Sequence, residues 1–344
     1  MCRTHSILAI ETSCDDTSVA VINSAKVLFH ETIRQDGIHQ PYRGIVPSLA
    51  AAAHRKNLPL LLKKAFDHLD GAGIDFVAAT RGPGIGSSLS VGWSTAVSIS
   101  LALNRPLIST HHMEGHLLMP FFDNQIPIPP FPFLTLLVSG GHTMWVDVAD
   151  IGKYAILGTT LDDSIGDAFD KGGRYLGLRW EKGSSYGAAL EQAALLVTNL
   201  QAYDFPHPLC RVKSADFSFS GLKSALSRVS IKDNKDIPNL AYSYQTAIIR
   251  HVLERMRHIP SLHEKYSALI ISGGVARNAS LVQAISKKAA PLPIIVPASE
   301  FCTDNSLMIA NAALIRICRK KQQIVNMEEG TAHEYYPIWD LDKI

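Results

Sequence analysis

Two histidines four residues apart, His112 and His116, are the first side chains whose spacing could do chemistry. On a helix, positions i and i+4 share a face, so both imidazoles can reach one metal ion. A zinc-peptidase helix needs a glutamate directly after the first histidine. Here Met113 follows His112, and Glu114 comes one residue later, off the metal-binding face. Asp304, in Phe301-Cys-Thr-Asp-Asn305, opens the last helical stretch and can complete the set. Two histidines and a carboxylate with open positions suit one divalent ion per subunit, with iron, zinc and magnesium not distinguished. Helix capping is the competing explanation for Asp304.

Other groups carry weaker signals. Glu11, Asp15 and Asp16 surround a small-residue turn and can bind metal or water, or act as a base. Ser13 and Cys14 have no histidine neighbour in sequence, which argues against a covalent mechanism. Asp162, Asp163 and Asp167 read as the solvated first turn of a helix. Asp170 lies deeper, beside Lys171-Gly-Gly-Arg174, where it can hydrogen-bond a ligand hydroxyl or amine. Arg81-Gly-Pro-Gly-Ile-Gly-Ser-Ser88 can cradle an anion at a helix start, or serve tight helix–strand packing. It carries neither the dinucleotide nor the Walker fingerprint. The run 216–224 reads as a strand edge ending in a helix cap.

The elements that must position these groups follow from the apolar pattern. Residues 6–12 form a buried strand, 13–17 a polar turn and 19–22 a return strand. The same strand–turn–strand recurs over 133–138, Ser139-Gly-Gly-His-Thr143 and 144–148. Further strands are expected at 76–80, 107–110, 268–271 and 291–297. Helices are expected at 47–69, from the Gly-rich turn to 103, from about 278, and over 303–320. Four prolines between 127 and 132 make a stiff connector, placing a boundary between an N-terminal lobe, 1–128, and a C-terminal lobe, 129–344. The last helix can pack back on the first lobe. Two α/β lobes that each open with such a hairpin resemble the actin-like, sugar-kinase-like ATPase fold, with duplicated RNase H-like domains around a central cleft. By that analogy, Ser272-Gly-Gly-Val275 borders an adenosine.

Composition bounds the rest. Of 344 residues, 47% are hydrophobic and 19% charged, which excludes a disordered chain. Thirty-three Lys+Arg against thirty-one Asp+Glu give no polybasic coat. Local clusters at Arg250, Arg255 and Arg257, at Lys287 and Lys288, and at Arg316, Arg319, Lys320 and Lys321 can still contact nucleic-acid phosphates if they share a side. Five cysteines without a C-x-x-C pair suggest reduced thiols. No uninterrupted apolar run reaches the ~18 residues of a membrane span. Residues 1–5 make a poor transit peptide and leave too little chain for a signal peptide.

An ordered set of motifs then points to one family: Ile10-Glu-Thr-Ser-Cys-Asp-Asp-Thr17, His112-Met-Glu-Gly-His116, Leu137-Val-Ser-Gly-Gly-His-Thr143, Gly166-Asp-Ala-Phe-Asp-Lys171, Phe217-Ser-Phe-Ser-Gly-Leu-Lys223, Ser272-Gly-Gly-Val275 with Asn278, and Cys302-Thr-Asp-Asn305. Together they span nearly the whole chain, which resembles the TsaD family of tRNA threonylcarbamoyladenosine biosynthesis proteins. The resemblance implies an acyltransferase. It passes threonylcarbamoyl from threonylcarbamoyl-adenylate, made by a separate synthase, to the exocyclic amine of the adenosine beside the anticodon in tRNAs reading A-starting codons, and AMP leaves. It further implies that His112, His116 and Asp304 hold the metal. Leu137, Val138, Ser139, Gly140, Gly141, Asp170, Gly183, Gly187 and Asn278 would line the adenylate site.

Departures refine this. Leu137 stands where archaeal and cytosolic eukaryotic relatives have an extra metal-ligating tyrosine. Glu181-Lys-Gly183 replaces a Pro-Gly-Gly, and Arg277, Ser280 and 51–56 also drift from the bacterial pattern. These favour a mitochondrial-type homodimer, with the cytoplasm as the alternative location. A small-molecule kinase or chaperone-like ATPase of the same fold, a non-catalytic scaffold, and a metalloprotease are the competing functions.

Overall fold

The computed structural model describes residues 4–24, 26–42, 44–69, 73–124, 126–179, 184–231, 233–327 and 330–344. It divides into two compact units: Met1–Ile128 with Asp150–Tyr154 and Thr303–Ile344, and Pro129–Ala149 with Ala155–Cys302.

The first unit is built on β1 (Ser6–Glu11), β2 (Thr17–Asn23), β3 (Lys26–Ile33), β4 (Phe76–Gly82) and β5 (Leu107–His111). They pair in the order β3-β2-β1-β4-β5, antiparallel on the β2 side of β1 and parallel on the β4 side. The second unit is built on β6 (Phe133–Val138), β7 (Thr143–Asp150), β8 (Lys153–Thr159), β9 (Leu269–Ser272) and β10 (Ile294–Ile295). Their order, β8-β7-β6-β9-β10, repeats the first sheet, with β6–β7 antiparallel and β6–β9–β10 parallel. The repeated hairpin is thus the visible part of a repeated five-stranded sheet.

Central strands in such sheets are covered on both faces, so they read as continuous apolar runs. Leu8 and Ile10 of β1 face one core with Leu58, Leu61, Trp93 and Val97. Ile7 and Ala9, on the opposite face, are equally buried. In the second unit Leu134, Leu136 and Val138 pack with Trp145, Phe217, Phe219 and Ile248. Each fully buried Leu, Ile or Val contributes about 1.5–3 kcal/mol.

Several expectations need correction. The strand at 291–297 shortens to Ile294–Ile295, and the last helix to Ser306–Cys318. The edge strands β3 and β8 and the helix Ile237–Met256 had no counterpart in the sequence pattern. Two members of the basic clusters are too deeply buried to meet a partner's phosphates. Arg255 is 2% exposed and donates to the Val212 and Ser214 carbonyls; Arg316 is 4% exposed and pairs with Glu114. Cys14, Cys210 and Cys302 are free thiols, whereas Cys318 is disulfide-bonded, against the all-thiol expectation. No helix among the described residues is long and apolar enough to cross a membrane.

His251, on the helix Ile237–Met256, is buried against Phe217 and Phe219. It accepts a hydrogen bond at Nε2 from the Ser218 N–H. Burial, and then the charge of Arg255, push its pKa down to about 4. The unfolded chain takes up this proton near pH 6.5, the folded chain only near 4, so stability falls as pH drops through that window. Urea titrations should show about 1–3 kcal/mol lost between pH 6.5 and 4 through this residue. His251→Gln keeps an acceptor for Ser218 without titrating, and its profile should lack that part of the slope.

Candidate functional site

The histidines at 111, 112 and 116 divide their tasks. His111 ends β5 and caps the next helix, His112–Leu118, accepting at Nδ1 from the Met113 N–H at 3.1 Å. Its Nε2 donates to the Trp339 carbonyl. His112 and His116 then fall on one helical face, with rings 5.0 Å apart. The helix Ser306–Cys318 packs against this one, and Asn311 donates to the Leu118 carbonyl at 2.7 Å. Its first residue is tied to β2 through Ser306 N–H to Ser18 Oγ at 2.9 Å. That docking delivers Asp304: its Oδ1 lies 3.0 Å from His116 Nε2 and its Oδ2 3.8 Å from His112 Nε2.

Asp304 does not cap the helix. Asn305 does, accepting from the Met308 N–H at 3.1 Å. The competing explanation for Asp304 therefore falls away, and its carboxylate is committed to the histidines. One ligand atom from each of His112, His116 and Asp304 lies within 4.8 Å of the others.

The donor chemistry fits a cation. His112 Nδ1 lies 3.2 Å from Glu11 Oε2 and 3.0 Å from Ser13 Oγ. A carboxylate only accepts, so Nδ1 carries a proton, and once a cation displaces the second ring proton the lone pair at Nε2, on the Asp304 side, would be its ligand. A carboxylate behind a histidine is the usual support of a metal ligand. Glu11 is 1% exposed and also accepts from the Ser13 N–H at 2.5 Å and from the Thr80 hydroxyl. Held by these donors, it orients the His112 ring. Burial alone would raise its pKa, but His112 beside it holds it below the ordinary value. For His112 burial works downward, yet Glu11 and Asp304 carry it up to about 9.

Ser13 does not form a catalytic triad, which needs the hydroxyl and the acid on opposite ring nitrogens. Here both face Nδ1. Cys14 is no thiolate, because burial and then Asp15 push its pKa far upward. Asp15 is half-buried and raised, chiefly by burial. Asp16 rises to about 8 through burial and the neighbouring Asp15 charge. Glu114 points away from the histidine face, as its register demands. Its carboxylate takes Arg316 Nε at 2.7 Å and the Tyr154 hydroxyl at 2.5 Å.

In the second unit, Leu137 and Val138 are buried in β6, and Leu137 has no ligand atom to offer a metal. Ser139 closes the β6–β7 turn, taking the His142 N–H at its hydroxyl. Gly140 and Gly141 are exposed, with open space where side chains would be. The helix Ile165–Tyr175 starts under this turn: Ser164 caps it and donates to the Gly140 carbonyl at 2.5 Å. Gly273, at φ +101°, passes so close to the Val138 carbonyl that a Cβ would stand 2.5 Å from it. Asp170, raised chiefly by burial, accepts from the Gly187 N–H at 2.7 Å and ties two helices together. Asn278 caps the following helix by accepting from the Leu281 N–H at 2.8 Å, and its amide donates to Gln245 Oε1 at 3.0 Å. Gly183 lies outside the described residues. Asp162 is the surprise: it gathers Ser218, Phe219 and Ser220 at the start of the helix Ser220–Leu226. The aromatic–serine run is thus a strand edge bridged to Thr160 and a helix start, as its pattern suggests.

Residues 26–311 match the model of a family described as TsaD, tRNA N6-adenosine threonylcarbamoyltransferase. Proteins of that name are similar over most of their length. That of Gluconobacter oxydans is 40% identical over 332 residues, covering 91% of this chain and 88% of its own. That of Dichelobacter nodosus is 39% identical over 320 residues, covering 90% and 91%. Among solved structures, the Acidaminococcus fermentans (R)-2-hydroxyglutaryl-CoA dehydratase component A superposes with a TM-score of 0.53 at 12% identity, covering 91% of this chain and 99% of that one. T. kodakarensis HypF does so at 0.57 and 12%, covering 92% of this chain and 48% of its own. These two likenesses carry the fold alone, that of the actin-like ATPases.

Two variants separate the roles around the histidine helix. Asp304→Ala should remove bound divalent metal, read by elemental analysis of the purified protein, and leave the melting temperature near that of the metal-free parent. Glu114→Ala strands the buried Arg316 and should cost about 3–5 kcal/mol of stability, read by denaturant titration. Equal stability of the parent and Glu114→Ala would show that the buried pair is not what holds this helix.

Proposed function

The chain belongs to the TsaD family of tRNA N6-adenosine threonylcarbamoyltransferases, and on that premise we propose how its residues divide the transfer. The exocyclic amine of the tRNA adenosine attacks the carbamoyl carbonyl of threonylcarbamoyl-adenylate. The new C–N bond replaces the C–O bond to phosphate, AMP departs, and the amine gives up a proton. The observation that carries this reading is the convergence of His112, His116 and Asp304 in a chain of this family. These three would hold the divalent ion, which when bound supplies Lewis-acid stabilisation of charge on the phosphate and carbonyl oxygens.

The chain's own groups do the rest. Glu11 keeps the His112 ring aimed. Asp15 is the proton acceptor: it is half-buried and not consumed by the metal ligands, and its raised pKa makes it a stronger base. The open Gly140–Gly141 turn, with Leu137, Val138, Ser139, Asp170 and Gly187, would take the adenylate, and Gly183 joins them on the family motif alone. Asn278 supports that surface as a cap. The adenylate comes from a separate synthase. Departures from the bacterial pattern support a mitochondrial-type homodimer, the alternative being a cytoplasmic one.

Purified chain, partner synthase, threonine, bicarbonate, ATP and unmodified tRNA should yield the modified nucleoside by mass spectrometry. No product beside a working control enzyme would overturn the reading, and Mg-ATP hydrolysis by the chain alone, with neither synthase nor tRNA, would favour an ATPase. Asp15→Asn should lower kcat by about 10²–10⁴-fold with metal content intact.

A further inference from the structure

His54 lies in the alanine-rich start of the helix Pro47–His68, where nothing in the sequence sets it apart. It is fully buried, as are its neighbours Thr17 and Gln35. Its Nε2 is 3.0 Å from the carbonyl of Cys14, at the apex of the β1–β2 turn. Its Nδ1 is 2.8 Å from Thr17 Oγ1, at the other end of the same turn, and 3.4 Å from Gln35 Nε2. A carbonyl only accepts and an amide nitrogen only donates. The ring therefore carries its proton on Nε2, and Nδ1 accepts. Burial pulls its pKa below the ordinary value, which keeps it neutral. His39 in turn fixes Gln35, at 3.0 Å.

We propose that His54 is a positioning residue for the transfer: by clamping the Cys14 carbonyl it fixes the Cys14–Asp15 peptide, and so aims the Asp15 carboxylate and N–H at the substrate. A trans peptide points its C=O and N–H in opposite directions, so the carbonyl drawn into the helix turns the Asp15 N–H away from it. The turn is gripped on its other side as well. Ile85 N–H donates to the Ser13 carbonyl at 2.8 Å, and Gly84 approaches so closely that a Cβ would stand 2.5 Å from that oxygen. Ser13 and Cys14 are thus held from opposite elements, and Asp15 is the first residue beyond the clamp. None of these contacts involves His116 or Asp304.

The proposal rests on the transferase reading, and the test separates the two. His54→Phe fills the site but makes neither hydrogen bond; His54→Gln can still donate to Cys14. Steady-state transfer to tRNA should show kcat reduced by about 100-fold in His54→Phe, with KM for tRNA and bound metal unchanged. His54→Gln should recover at least a tenth of the lost rate. If His54→Phe does not fold, Thr17→Val, which removes the Nδ1 partner at constant shape, should still lower kcat by about 3–10-fold. Nitrogen NMR of the wild-type ring should show the proton on Nε2. A folded His54→Phe within twofold of the wild type, a rate loss matched by metal loss, or a proton on Nδ1 would overturn the proposal. An inactive wild type would instead overturn the transferase reading.

Discussion

A single buried carboxylate organises the first unit. Glu11 ends β1 at 1% exposure, and a charge taken that far out of water costs several kcal/mol unless every lone pair is met. The donors come from three places: the Ser13 N–H from the turn after β1, the Thr80 hydroxyl from β4, and His112 from the helix after β5. Parallel pairing of β1, β4 and β5 brings their ends to one edge, where this convergence becomes possible. His112 is therefore held by electrostatics as well as by packing. Its Nε2 faces Asp304 because Nδ1 is already taken by Glu11.

The two hairpins share a topology and differ in chemistry. The first turn is lined with acids and clamped from both sides. The second offers two exposed glycines over the start of a capped helix, with free room above them. A charged turn suits metal and proton handling. An open glycine turn suits the flat or anionic parts of a nucleotide, because backbone can approach a ligand there without a Cβ in the way. Duplicated sheets thus give one fold two turns of different character.

How much of this was legible in the sequence depended on the range of the interaction. The His112–His116 face and the off-face Glu114 follow from helical spacing alone, and both hairpins follow from apolar runs. Asp304 was ambiguous because two readings competed, and only the geometry of Asn305 separates them. Glu11 was visible as an acid, but its partners sit 69 and 101 residues away, so its service to His112 was not. His54 was invisible, since its meaning lies in a backbone carbonyl 40 residues earlier. The edge strand β3 was missed because Lys26, His30 and Glu31 break its apolar pattern. The helix Ile237–Met256 was missed because Gln245, His251 and Arg255 interrupt its buried stripe.

The most direct test of the account is anomalous diffraction from crystals of the metal-loaded protein, collected on both sides of the metal's absorption edge. The account predicts one peak at about 2.0–2.2 Å from His112 Nε2, His116 Nε2 and an Asp304 oxygen, with Glu11 outside the coordination shell. A peak coordinated by Glu11, or one at Asp15 and Asp16 away from the histidines, would contradict it.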